Sequence, residues 1–311
     1  MRNAAADVNH RKQIYIKRSL VAVGIVLLIL PLLLYSRLHF LRPPRTNQEL
    51  TLFQGIVYKR EARSTPRPFM LHIVTIDLTT PGIGVLVTPG RPTPDDREIH
   101  ARTTSEFVRE FKLQLAINAN YFFPFREYSP WDFYPRSSER VNVLGQAISQ
   151  GFIYSKAESN WPVLCFDANN RAQVLKSGEC PESTVQAVAG NSILVERGAP
   201  VVMSLDSLKN DKPYSQVAVA IDRVGQKLWL IVIDGKQPLY SEGVTLAELA
   251  EIVMELDVDT ALHLDGGGST TLVIANRSDP QVLNAPIHTK LPIRQRPVAN
   301  HLGFFARHLD E

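Results

Sequence analysis

Between Thr245 and Ala275 the chain reads TLAELAEIVMELDVDTALHLDGGGSTTLVIA. Its first half places Leu249, Ile252, Val253 and Leu256 at helical spacing behind a Thr-x-x-Glu capping box, Thr245 and Glu248, which predicts a helix from Thr245 to about Leu256. Thr260–Leu264 then reads as a strand ending on Asp265, and the β-branched run after the glycines reads as another strand. The glycines therefore sit between two strands. A dinucleotide fingerprint or a P-loop needs its glycines to open a helix, and a P-loop also needs a lysine. Thr271 occupies the last place of what would otherwise be a Gly-x-Ser-x-Gly elbow, so Ser269 is not a hydrolase nucleophile of that kind.

Outward from this block the apolar pattern is mostly strand-like. GIVYKREA, FMLHIVTIDL and GIGVLVTPG are short β-rich runs separated by Pro and Gly, and GQAISQGFIYS, WPVLCFDANNRAQVL and VQAVAGNSILVERGAPV all read as hairpins. VAVAIDRVGQKLWLIVIDG reads as two strands joined by a turn at Asp222–Gln226. A second helix is expected from about Thr104 to Lys112, capped by Thr103 and Glu106. Residues 124–140 are rich in Pro, aromatics and Arg without periodicity and read as a surface loop or lid. Many strands with few helices predict one α+β domain around a large mixed β-sheet core.

Charge separates this domain from what precedes it. Residues 1–45 hold eight Lys or Arg and one acid, Asp7, so the tail carries +7 and the remainder −4. A body of that sign has no electrostatic footprint for nucleic acid. Leu20–Leu34, LVAVGIVLLILPLLL, runs fifteen residues without a charge, with Tyr35, His39 and Phe40 suited to an interface. LLYSRLHFL offers no convincing cleavage site, which favours an uncleaved anchor over a signal peptide. Five basic residues precede the run and three follow it, placing the N-terminus in the cytoplasm and the domain outside it. The expected organisation is a basic tail over 1–18, a transmembrane anchor over 19–41, a Pro-containing stalk over 42–50 and the domain over 51–311. Cys165 and Cys180 fall in the exported part, where a disulfide is permitted, two buried thiols being the other reading.

Three glycines allow positive φ and close backbone approach, and successive amides in such a bend can form an anion nest. Asp265 sets a carboxylate beside it, and Ser269 and Thr270 add hydroxyl groups. The combination suits a substrate bearing a phosphoryl or carboxylate group next to a bond that needs a nucleophile, base or acid. A tight strand-to-strand turn with Asp265 bonding the turn amides is the bland alternative. His263 and Asp265 share a strand face, yet no third metal ligand accompanies them, and neither a metal nor another cofactor is expected. Asn276-Arg277-Ser278 is a sequon, relevant where the host glycosylates exported proteins.

The block from DGKQPLYSEG through LHLDGGGSTTLV, with AINANYFF upstream and RPVANHLGFF downstream, resembles the phosphodiester glycosidase family over most of residues 70–307. The resemblance implies an exported α+β domain that cleaves the bond between a sugar's anomeric carbon and a phosphodiester oxygen. It implies a site built from Asp265 and Gly266, Gly267, Gly268 and Ser269, with Asn118, Asn120, Asp234 and Arg296 lining the pocket. Asp265 is the first choice for the catalytic carboxylate and Asp234 the second, and Thr270, Asn300 and His263 join the substrate-binding candidates. Relatives often read RTAIG where this chain has QVAVA, so Gln216 and Val217 replace a charged fork suited to phosphate. The expected partners are a sugar-phosphate or polysaccharide substrate and the membrane. A non-catalytic, polysaccharide-binding envelope protein on the same fold is the alternative. Trp131, Phe133 and Tyr134 are candidates to stack on sugar faces, and His301 reads as a structural histidine.

Overall fold

The computed structural model describes residues 2–90, 97–201 and 211–310, with side chains from Tyr15 onward. An eight-stranded sheet runs in the order Gln48–Phe53, Ile56–Arg63, Phe69–Asp77, Lys227–Ile233, Gln216–Ile221, Thr260–His263, Ser192–Glu196 and Ala199–Pro200. A five-stranded sheet stacks on it in the order Gln281–Val282, Leu272–Ile274, Leu115–Asn118, His301–Phe305 and Gly84–Val87. A second five-stranded sheet is built from residues 147–189. Paired strands in these sheets run antiparallel, as short connections without helical crossovers allow.

The period-two pattern of the central strands explains the layering. In Gln216–Ile221, Val217, Val219 and Ile221 face the shared core with Leu230, Val232, Leu262, Ile117 and Leu302. Ala218 and Ala220 face the other way, and their small side chains let the helix Leu246–Met254 lie close, buried through Leu249, Ile252 and Val253. Each of those three apolar side chains contributes roughly 1.5–3 kcal/mol. The helix Thr104–Phe111 closes the outer face of the first five-stranded sheet through Phe107 and Val108, stacked on Leu86, Ala116 and Val273. Both helices begin on the expected capping boxes, Thr103 with Glu106 and Thr245 with Glu248. The result is four layers, helix, sheet, sheet and helix.

Several local expectations change. VQAVAGNSILVERGAPV is not one hairpin: Thr184–Ala189 lies in a five-stranded sheet and Ser192–Glu196 in the eight-stranded one, with Gly190 at the crossing. A β-carbon on Gly190 would stand 2.2 Å from the His263 carbonyl oxygen, so the exchange of sheets needs glycine there. Residues 124–140 are partly ordered as the hairpin Arg126–Glu127 with Phe133–Tyr134. Strand pairing from Gln48 onward takes up the end of the expected stalk. What remains of the stalk is docked, because Arg45 bonds the Tyr240 and Arg63 carbonyls and Tyr240 donates to the Pro43 carbonyl at 2.9 Å. Cys165 and Cys180 are joined as a disulfide with a Cα–Cα separation of 5.9 Å. The N-terminal helix Arg2–Phe40 contains a stretch, Tyr15–Phe40, long and apolar enough to cross a bilayer.

Candidate active site

The glycine block is where the chain passes from one sheet to the other. Leu264 donates its amide to Val217 in the eight-stranded sheet at 2.9 Å, and Asp265 donates its own to Ala119, just past a strand of the five-stranded sheet, at 3.0 Å. Asn118, fully buried, clasps both ends of the crossing: its Nδ2 donates to the Asp265 carbonyl at 2.6 Å and its Oδ1 accepts from the Thr271 amide at 3.0 Å. Asparagine fits because its amide offers a donor and an acceptor side by side.

Each glycine has a steric reason. A β-carbon at Gly266 would come within 2.7 Å of the Ser215 carbonyl oxygen. Gly267 has φ +63°, and a β-carbon there would stand 2.4 Å from the ring of Tyr214. One at Gly268 would stand 2.3 Å from Nη2 of Arg296. The bend is a short 3-10 turn over Gly267–Ser269. The expected open amide nest is reduced accordingly, since Gly267 donates to Ser215, Ser269 to Gly266 and Thr270 to Gly267. The glycines chiefly make room for two neighbouring side chains.

A cleft of about 280 Å³ opens over this turn, lined by Asp265, Gly266, Gly267, Gln216, Tyr214 and Arg296, with Tyr121, Phe122 and Phe125 as aromatic wall. Asp265 is partly open to the cleft and surrounded by protein elsewhere. Burial pushes its carboxyl up to about 6, against the pull of the Ser269 hydroxyl, the Arg296 charge and the Gly266 amide. Arg296 donates through Nη1 to Ser269 Oγ at 3.2 Å and through Nη2 to Glu127, and its guanidinium lies 4.4 Å from the centre of the Phe125 ring. Glu127 also meets His288 Nδ1 at 3.2 Å, and the hydrogen bond from His288, with the Arg296 charge, holds its carboxyl down to about 2. Lys236 caps the rim, bonding the Tyr214 hydroxyl with its ammonium 3.8 Å from the ring centre.

The structure thus brings together Asp265, Gly266, Gly267 and Arg296, with Gly268 and Ser269 directly behind them. Ser269 and Thr270 are buried, and the Thr270 hydroxyl has no partner among the described residues. Asp234 is a correction. It is buried beneath the turn, where Oδ1 accepts from Asn284 Nδ2 at 3.0 Å and the Ala285 amide at 2.8 Å, and Oδ2 meets His72 Nε2 at 3.1 Å. Both oxygens are engaged in the framework, and neither faces the cleft. Asn120 and Asn300 are likewise framework, bonded to one another at 3.0 Å and to backbone around them. Phe133 lies between Arg294 and His288, and neither it nor Trp131 or Tyr134 lines the cleft.

His263 stands one step behind the cleft. Its Nε2 meets Gln216 Oε1 at 2.9 Å and its Nδ1 meets the Asn191 side-chain amide at 2.7 Å. Burial lowers its pKa to about 4, so the ring is neutral near pH 7 and supplies one donor. Gln216 Nε2 donates to the Val244 carbonyl at 3.1 Å, which turns its oxygen toward His263 Nε2. At Nδ1 it is Asn191 Oδ1 that faces the ring, while Asn191 Nδ2 donates to the Tyr121 hydroxyl at 3.1 Å. Both ring nitrogens thus face side-chain amide oxygens of the framework, Gln216 Oε1 and Asn191 Oδ1. Among the described residues no group of three or more His, Cys, Asp or Glu is arranged to hold a metal ion.

Sequence reasoning missed Glu127, Tyr214, Tyr121 and Phe125 as site residues. Glu127, Tyr214 and Phe125 lie outside the quoted blocks, Tyr121 sits in AINANYFF beside the asparagines that drew attention, and only the fold brings the four to the turn. Gln216 stood out only as a departure from relatives. The structure puts it on the cleft and Val217 wholly in the core.

A family model described as phosphodiester glycosidase matches residues 111–305. A bovine (Bos taurus) protein named N-acetylglucosamine-1-phosphodiester alpha-N-acetylglucosaminidase is 43% identical over 60 residues, a match spanning 19% of this chain and 11% of that protein. Among solved structures, a hypothetical protein from Synechocystis superposes with TM-score 0.60 at 15% identity, covering 85% of this chain and 64% of that one. The catalytic domain of zebrafish N-acetylglucosamine-1-phosphodiester alpha-N-acetylglucosaminidase, described as auto-inhibited by its pro-peptide, superposes with TM-score 0.55 at 18% identity, covering 87% and 93%. A putative exported protein from Burkholderia pseudomallei gives 0.53 at 14% identity, covering 78% and 75%. At these identities the structural likeness establishes the shared fold.

Proposed function

The chain belongs to the phosphodiester glycosidase family, and from that premise we propose that it hydrolyses a sugar-1-phosphodiester, from an exported domain held by an N-terminal membrane anchor, with Asp265 and Arg296 as its working pair. The observation that carries this reading is the meeting of a carboxyl pushed up to about 6 and a fixed guanidinium on one cleft with an aromatic wall.

A phosphodiester leaves as a weakly basic anion, so its departure needs charge stabilisation more than a proton. Arg296 supplies that charge, held by Ser269 and Glu127 in one orientation before substrate arrives. At the anomeric carbon the chemistry needs a base or a nucleophile. Among the described lining residues Asp265 is the carboxylate, and Glu127 is held ionised behind Arg296. A covalent route would need a second carboxylate to activate water for the second displacement. One carboxylate suits direct attack by water. Asp265 takes a proton from water, the water oxygen bonds to the anomeric carbon, and the carbon–oxygen bond breaks with its electron pair on the phosphate. The phosphomonoester departs beside Arg296, and Asp265 returns its proton to solvent. The aromatic wall formed by Tyr121, Phe122 and Phe125 suits a sugar face.

The test is release of free sugar from an anomeric phosphodiester by the purified full chain, with the product's anomeric configuration read by NMR. Turnover with inversion, abolished in a folded Asp265→Asn variant, is expected. Saccharide binding with no turnover, unchanged in Asp265→Asn, would instead mark an envelope-binding protein on the same fold.

A further inference from the structure

Resting on that reading, we propose that the lid hairpin seats on the bilayer beside the chain's own anchor, and that the cleft takes as substrate the headgroup of a lipid-linked sugar phosphodiester in the same membrane.

Tyr35 directly follows the apolar run Leu20–Leu34. A hydrocarbon core of about 30 Å takes about twenty helical residues, which counted from Arg18 ends near Leu38. Tyr35 therefore stands at the outer edge of the bilayer, and so does whatever touches it. Tyr35 lines a cavity of about 470 Å³ together with Glu127, Tyr128 and Pro130 of the lid and Lys290 and Leu291 of the neighbouring hairpin. The strand Leu291–Pro292 packs against the end of the same helix.

The stalk keeps the domain in this position. Arg42 donates to Gln237 Oε1 at 3.2 Å and lies 4.7 Å from the centre of the Tyr240 ring, and Arg45 and Pro43 are bonded as described above. A free linker of this length would let the domain turn, whereas a pinned one fixes which face meets the membrane.

The face so presented has the composition of an interfacial one. Tyr128 is 77% exposed, with Arg126 5.8 Å from its ring centre, and Trp131 is 79% exposed, in a lid whose Phe125 and Phe133 are covered by arginines. Leu239 and Phe40 project from the stalk side at 88% and 85%. Amphipathic rings at headgroup level are favoured there. Arg126, Arg136 and Lys290 are exposed around them; Asp132 is the exposed acid of the lid and pairs with Arg126, while Glu127 and Glu139 are half-buried, so the exposed face is net basic and an anionic headgroup layer is its complementary surface.

Glu127 joins the two cavities. Its side chain forms part of the wall at Tyr35, and its carboxylate holds Arg296 in the cleft. A phosphodiester at headgroup depth thus reaches the guanidinium while its lipid tail stays in the bilayer. A free polysaccharide would gain nothing from this placement.

The full chain is reconstituted into vesicles of phosphatidylethanolamine and phosphatidylglycerol, with and without brominated acyl chains. The protein has three tryptophans, so subtracting the Trp131→Phe signal isolates Trp131. Brominated lipid is expected to quench that component, and equal quenching in wild type and Trp131→Phe overturns the docking. In the same vesicles, Trp131→Glu combined with Lys290→Glu is expected to lower turnover of a long-chain sugar-1-phosphodiester about tenfold or more while leaving a methyl-capped soluble diester unchanged. Equal effects on both substrates overturn the lipid assignment. Quenching of Trp131 with no wild-type turnover of either diester supports the docking and overturns the glycosidase reading beneath it.

Discussion

Gly268 and Arg296 occupy space that only one side chain can fill: a β-carbon on the glycine would lie 2.3 Å from Nη2 of the arginine. The guanidinium is held against the main chain by its bonds to Ser269 and Glu127, so it cannot yield without leaving the cleft. Gly268→Ala is therefore expected to act as an indirect arginine mutation. The removal of one preorganised charge costs about 2.7–4 kcal/mol of barrier, or a hundredfold or more in kcat. Steady-state kinetics beside a melting curve checks this: kcat should fall to the level of Arg296→Gln, with a much smaller change in Tm.

Glu127 reaches the site from the lid. Its folded pKa of about 2 lies below the ordinary 4.5 because His288 donates to it and Arg296 faces it. The sign follows from which state binds protons. A depressed carboxyl contributes stability above about pH 4.5, and that contribution is lost as pH falls toward 2. Glu127→Gln should therefore be less stable than wild type at neutral pH and match it in strong acid. It should also free Arg296 and lower kcat/KM by about tenfold, more through kcat than KM if the guanidinium acts on the leaving phosphate. Denaturant titrations at several pH values and a kcat–KM split test both statements.

The sequence made some of this legible and hid the rest for identifiable reasons. The two capped helices and the hairpin turned at Asp222–Gln226 rest on local chemistry, a Thr-x-x-Glu box or a turn between alternating runs, and they stand in the structure as expected. VQAVAGNSILVERGAPV, residues 185–201, reads as a hairpin, yet the chain changes sheets at Gly190. Only the nearness of the His263 carbonyl to Gly190 distinguishes the two cases, and that is a tertiary contact. The same limit governs the site. Asp265 and Arg296 sit in recognisable blocks. Glu127 is separated from Arg296 by 169 residues and belongs to a segment without periodicity. Asp234 is a site candidate through the resemblance, but whether its oxygens face solvent or Asn284, Ala285 and His72 depends on elements far along the chain.

Asp234 supports the turn from below through Asn284, which also donates to the Thr270 carbonyl at 3.1 Å and accepts from the Leu272 amide at 2.9 Å. Asp234→Ala strips acceptors from a buried asparagine, a buried amide and His72. Breaking such a network costs about 3–5 kcal/mol. The variant is expected to lose stability on that scale, seen as a lower urea midpoint. Asp234→Asn, which keeps an acceptor, should retain part of it.

Asp265 is expected to behave in the opposite way. Burial raises its carboxyl from 3.8 to about 6, so the unfolded chain gives up this proton more readily than the folded one. The stabilising contribution of the protonated form is full below about pH 3.8 and is lost as pH rises through about 6. Above that, the fold carries a charge it would be more stable without. Asp265→Asn removes the charge and keeps the shape. The variant should match wild type in acid and exceed it at about pH 8 by on the order of 1–3 kcal/mol, while losing turnover throughout. Wild-type kcat should fall below about pH 6, where the base is protonated. Arg296→Gln removes a charge that holds the carboxyl down, so whatever activity it keeps should show that limb displaced upward. Denaturation midpoints and pH–rate profiles give each value separately. An Asp265→Asn variant no more stable than wild type at about pH 8, or a wild-type profile flat across about pH 5–8, would place the ionisation, and with it the base, on another residue.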